Sequence, residues 1–137
     1  ENSIMVALQM QRAFWEKATI LHAEHHRDLK TPMPDHYSRH YADVAAMTNR
    51  PETARALADD DLRARVVVWP SRFFARSWAR SDLAQPGTFR LVPPAGRLAE
   101  LARGYHEIPD MFLDASPSFE MVLETLDRLE TRINRIV

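Results

Sequence analysis

The chain contains no cysteine and only three glycines in 137 residues. Without thiols it can build neither a disulfide framework nor a thiolate metal centre, which makes a reducing cytoplasm its natural home. Gly87, Gly96 and Gly104 are too scattered to form a phosphate-cradling loop or a dinucleotide-binding turn. There is no Gly-x-Ser-x-Gly elbow, and the serines sit mostly at turns and caps, so a nucleophilic hydrolase has no support. The longest apolar runs, Ile4-Met5-Val6-Ala7-Leu8 and Val66-Val67-Val68-Trp69-Pro70, are far too short to cross a bilayer, and no signal peptide is visible. A formal charge of -1 excludes a chain that is basic overall.

The charge is unevenly placed. Eight arginines (Arg63, Arg65, Arg72, Arg76, Arg80, Arg90, Arg97 and Arg103) lie between Leu62 and Arg103, against Asp82 and Glu100 alone. From Gly104 onward the sign reverses. This asymmetry allows a basic surface for nucleic acid without requiring one.

Periodicity predicts an all-α chain: an irregular bundle of about five to six helices with an extended Pro/Gly-containing connection near 84–96. Residues 1–137 read as a single helical domain. The first clear helix spans about Met10 to Asp28, with Phe14, Ala18 and Leu21 as an inward stripe and Trp15 making a second side apolar. Ahead of it, Ile4 to Leu8 reads equally as helix or as the last strand of a preceding domain. Because the chain opens on Glu1 and this apolar run has no local partner, a segment upstream is expected.

Thr31-Pro32-Met33-Pro34 breaks the helix, Asp35 stands at an N-cap position, and Tyr37, Tyr41, Val44, Ala45 and Thr48 form the next apolar face. Pro51 opens a third helix. Asp59-Asp60-Asp61 is expected to serve the N-terminus of a helix over Leu62 to Ala79, which Pro70 should bend or split. Phe73, Phe74 and Trp78 read as core. A short helix over Arg97 to Arg103 should break at Gly104 or Pro109 toward Met111-Phe112. The last helix, opened by Pro117-Ser118, has the clearest period: Phe119, Val122, Leu123, Leu126, Leu129, Ile133 and Ile136.

Two groups of residues could carry chemistry. Five of the six histidines fall between His22 and His40, and the i, i+4 pairs His22 with His26 and His36 with His40 could meet at zinc if the two helices are antiparallel. The plainer reading is a solvated face. Lys17 lies in an apolar neighbourhood, where an ammonium needs an anion or solvent close by, and such a lysine is suited to meeting phosphate. By default it would snorkel and pair with Glu16 or Glu24, and Asp43 would pair with Arg39 four residues earlier.

Taken together, these residues resemble a known family. Arg12-Ala13-Phe14-Trp15-Glu16-Lys17-Ala18-Thr19-Ile20-Leu21-His22, then Glu24-His25-His26-Arg27 and Ser38-Arg39-His40-Tyr41-Ala42-Asp43-Val44, are similar to the C-terminal half of AbiEii/AbiGii-type nucleotidyltransferase toxins. The likeness continues through Phe73-Phe74, Ala84 to Pro93 and the closing helix to Asn134. That family resembles DNA polymerase β-type nucleotidyltransferases and includes type IV toxin–antitoxin and phage-defence toxins, some of which add nucleotides to tRNA ends.

The resemblance implies that Lys17 contacts the nucleoside triphosphate and that Asp43 is a further active-site residue; Arg12 and Arg39, in the same two motifs, are additional candidates for nucleotide binding. It implies Mg2+ and a nucleoside triphosphate in the complete enzyme, neither held tightly by this chain alone. It also implies tRNA or another RNA, a cognate antitoxin and an N-terminal catalytic domain as partners, and no membrane. The family's Gly-Ser motif and its two closely spaced metal-binding aspartates are not in this sequence, so the chain is expected to be inactive alone. Trp69-Pro70 also stands where a His-Lys pair is common. The alternative is a non-enzymatic helical module that binds a protein partner through its apolar N-terminus.

Overall fold

From Asn2 to His25 neither glycine nor proline interrupts the chain, and α1 (Asn2–His25) runs unbroken over all of it. A computed structural model of the protein describes residues 2–27, 29–33, 37–73, 81–107 and 117–136. Among these are α2 (Ser38–Met47), α3 (Pro51–Leu57), α4 (Asp60–Phe73), α5 (Leu98–His106) and α6 (Phe119–Asn134), with 3-10 turns at Ser81–Leu83 and Ala95–Arg97 and no strand. The chain is all-α, as its periodicity predicts. None of these helices is long and apolar enough to cross a membrane.

α1 is the hub. Phe14, Trp15, Ala18, Thr19, Leu21 and His22 are all buried, and at 3.6 residues per turn they cover an arc of roughly 160°. Such a width buries one helix against several others, and α1 packs on α2, α3 and α4. The Trp15 indole is fully buried, and its Nε1–H donates to the Ala56 carbonyl of α3 at 2.9 Å. A buried indole without that acceptor would carry the cost of an unmade hydrogen bond.

Local chemistry sets the other helix ends. Ser118 caps α6 by accepting the Met121 N–H at 3.2 Å, and Asp59 accepts the Leu62 N–H at the start of α4. The acidic run thus serves a helix N-terminus, with Asp60 also paired to Arg63 at 2.7 Å. α6 buries Phe119, Val122, Leu126, Leu129 and Ile133 on its one apolar face, against α2.

The connection ahead of α5 is extended without belonging to a sheet, so side chains must satisfy its backbone. Asn134 accepts the N–H groups of Gly87 (3.0 Å) and Phe89 (2.9 Å) and donates to the Phe89 carbonyl (2.9 Å). Glu130 accepts from Leu91 N–H at 2.7 Å, and His22 Nδ1 accepts from Arg90 N–H at 3.0 Å. Two helices therefore clasp one strand-like segment, burying Phe89 and Leu91 between them.

Several readings are decided or corrected. Ile4 to Leu8, equally open to helix and strand on sequence alone, is helical as part of α1. Gly104 does not end a helix: it lies inside α5, where a Cβ would stand 2.9 Å from Ser38 Oγ. Ser38 Oγ is itself buried and donates to the Leu101 carbonyl, so the glycine serves the close approach of α2 and α5. Pro70 does not split α4, which continues to Phe73. The Asp35 cap, His36, Phe74, Trp78, Pro109, Met111 and Phe112 lie outside the described residues.

Asn134→Ala removes three hydrogen bonds to a part-buried segment and should lower stability by about 2 kcal/mol or more, read from the midpoint of urea unfolding. Asn134→Asp keeps the acceptor and should cost less.

Candidate functional site

Lys17 lies just beyond the buried arc of α1, on the flank where α2 packs. Its Nζ donates to Asp43 Oδ2 of α2 at 3.4 Å, a contact across 26 residues of chain. The side chains keep 37% and 47% of their exposure. A pair this open contributes on the order of 1 kcal/mol or less to stability, so it is accessible to a ligand and costs little to break.

This pairing replaces both local ones. Glu16 pairs instead with Arg12 at 3.3 Å, and Glu24 with Arg27, so neither holds Lys17. Asp43 reaches across to α1 for its partner, where a local pairing with Arg39 was expected.

The Glu24 and Arg27 pair is largely covered, and Glu24 lies near enough to act on His40. Arg27 donates to both Glu24 oxygens at 2.7 Å, with side-chain exposures of 10% and 3%. This two-pronged geometry neutralises the buried carboxylate internally. It leaves Lys17 and Asp43 as the charges turned outward. Burial first, and then the nearby Glu24 carboxylate, raises the Tyr37 phenol above its ordinary value.

His40 completes the cluster. It precedes Asp43 by three residues, which places both on one face of α2. Its ring meets Tyr37 edge-on, with centroids 4.8 Å apart. Burial lowers its pKa, the Lys17 ammonium lowers it further, and Asp43 and Glu24 oppose the shift. Its Nδ1 is buried without a hydrogen-bond partner among the described residues. A neutral imidazole, an ammonium and a carboxylate thus share one half-open surface, a set able to hold an anion and accept a proton.

The other proposed residues are placed less tightly. Arg39 is exposed one turn ahead of Asp43 on the same face of α2. Arg12 precedes Lys17 by five residues, roughly 140° around α1, so the helix does not set the two side by side. On sequence alone His40 stands in a metal pair with His36 and inside the Arg39-His40-x-x-Asp43 pattern of the resemblance, and neither gives it a role of its own beside Lys17. Its spacing of three from Asp43 was the signal that joins it to this site.

The N-terminal histidines serve the fold. His22 is 1% exposed and its Nδ1 accepts from Arg90, while His25 Nδ1 bonds the Val92 carbonyl at 2.8 Å. Among the described residues no group of three or more His, Asp or Glu is placed to hold a metal. In the cluster only Asp43 offers a carboxylate, whereas Mg2+ takes an octahedral oxygen set. These residues alone do not fit a two-metal centre.

His40 makes stability depend on pH with a defined sign. Its folded pKa lies below the ordinary 6.5, so the unfolded chain binds the proton more readily. The contribution is present above pH ~6.5 and lost as pH falls toward the folded value. Unfolding midpoints taken from pH 7.5 to 5 should fall less in His40→Gln than in the parent.

No protein-family model, no curated protein and no solved structure matches this chain.

Proposed function

We propose that this chain is the helical portion of a nucleotidyltransferase-like toxin of the AbiEii/AbiGii type, supplying nucleotide-phosphate contacts for transfer of a nucleotide to RNA, with tRNA as one acceptor. One observation supports this above the others. Lys17 and Asp43, the two positions at which the resemblance is most specific, meet at 3.4 Å although 26 residues separate them. Nothing in ordinary helix packing requires a half-exposed cation and anion to meet there.

In this reading the triphosphate competes with Asp43 for Lys17. A phosphate carries more charge and more acceptor oxygens than a carboxylate, and the existing pair is weak enough to yield. Lys17 then stabilises negative charge on the phosphates as pyrophosphate departs, and Arg39 lies close enough along α2 to add a second cation. Asp43, freed of its partner, orients or receives the proton of the attacking hydroxyl, with neutral His40 beside it. The metal-binding carboxylates belong to the N-terminal catalytic part of such an enzyme.

In the longest natural form of the protein, Lys17→Ala and Asp43→Ala should each reduce nucleotide transfer by roughly 10²-fold or more. The same changes should alter stability by less than about 1 kcal/mol. Full activity in both variants would contradict the assignment.

A second reading, a non-enzymatic module that binds a protein such as a cognate antitoxin, draws on a different observation. Ile4, Met5, Val6 and Leu8 are 65%, 59%, 51% and 53% exposed on the first turns of α1. It predicts that a protein encoded beside this one forms a complex lost on Ile4→Asp with Leu8→Asp. A complex that survives that double change argues against it.

A further inference from the structure

The C-terminus of α2 and the outer face of α6 border a cleft of about 360 Å3, away from Lys17. Thr48 follows Asp43 by five residues, which turns it about 140° around α2 from the first site. The lining is Thr48, Asn49, Thr125, Arg128 and Arg132, with Leu129 as the apolar floor. Two guanidiniums, two hydroxyls and one amide are gathered there, and no carboxylate is among them.

We propose that this cleft binds a phosphate group through Arg128 and Arg132, independently of the nucleotide site read around Lys17. The two arginines stand at i, i+4 on α6, where like charges repel, and neither makes an ion pair with a described carboxylate. An anion between them removes that repulsion and receives two forked donors, the geometry for which guanidinium is suited. The Thr125 hydroxyl and the Asn49 amide add neutral donors at the same opening.

The carbonyl end of α2 opposes an anion but does not outweigh the arginines. A helix C-terminus carries about half a negative charge, against two full positive charges here. That end is also largely satisfied: Val44 O accepts from Thr48 Oγ1 at 3.3 Å, Ala45 O from Thr48 N–H at 3.2 Å, and Met47 O from Arg50 N–H and Thr53 Oγ1. The guanidiniums are therefore not needed as caps for α2.

The test is a titration of the whole chain with pyrophosphate and, separately, with a short single-stranded RNA at low salt, followed by NMR of the arginine Nε–H and asparagine amide signals. Both probes should move Arg128, Arg132 and Asn49, and Arg128→Gln with Arg132→Gln should weaken binding at least about tenfold. Both positions are exposed, so the double variant should melt with the parent. Lys17→Ala should leave this binding unchanged, which separates the proposal from the nucleotide reading.

If the phosphate belongs to a nucleic-acid backbone, RNA binds more tightly and its log–log salt slope shrinks by about 1.4 in the double variant. If it belongs to a small phosphorylated molecule, pyrophosphate binds at least as well as RNA. Absence of these shifts with either probe, or equal affinity in parent and double variant, overturns the proposal.

Discussion

Burial of Trp15 is the constraint from which the rest of the arrangement follows. An indole of this size buries roughly 150–250 Å2, worth about 4–6 kcal/mol at 25 cal/mol per Å2, provided its N–H finds an acceptor. The Ala56 carbonyl is that acceptor, at 2.9 Å, and the bond fixes the rotation of α1 against α3. With that rotation set, Phe14, Ala18 and Leu21 turn into the core and Lys17 comes to its margin. The half-open position of Lys17 is thus a consequence of where the neighbouring tryptophan must go.

A second constraint comes from the backbone between Gly87 and Val92. A strand-like segment in a helical chain must borrow hydrogen-bond partners, and it takes them from His22 and His25 on α1 and from Glu130 and Asn134 on α6. The clasp links the first helix to the last and buries Phe89 against Trp15 and His22. It also explains part of the histidine cluster. His22 and His25 are committed to holding backbone, which leaves His40, on the other helix, as the imidazole beside the Lys17 and Asp43 pair.

Much of this was legible from residue order. The apolar period of Phe119 to Ile133, the proline start of α3 and the extended segment before Gly96 all declare themselves locally, because helices and turns answer to neighbours a few residues away. What could not be read depended on distant partners. Gly104 looks like a stop until Ser38 Oγ is found where its Cβ would stand. Ile4 to Leu8 shows no clear helical period, since its exposed side chains meet no core that would impose one. Lys17 had acidic neighbours at Glu16 and Glu24, and only the packing of α2 shows that both are taken and that Asp43 is the group within reach. No local pattern marks the two arginines of α6 as a pair facing a cleft, because the α2 terminus opposite them lies some eighty residues earlier in the chain.

The central claim is that Lys17 meets the phosphates of a nucleotide, and the sequence contains its own control, since Lys17 and Lys30 are the only lysines. The most direct measurement is labelling of the chain with a periodate-oxidised nucleoside triphosphate, whose dialdehyde is trapped on amines by reduction, followed by peptide mass spectrometry. The account predicts that Lys17 is labelled well ahead of Lys30 and is protected by unmodified nucleoside triphosphate. Equal labelling of the two lysines, with no protection, would contradict it.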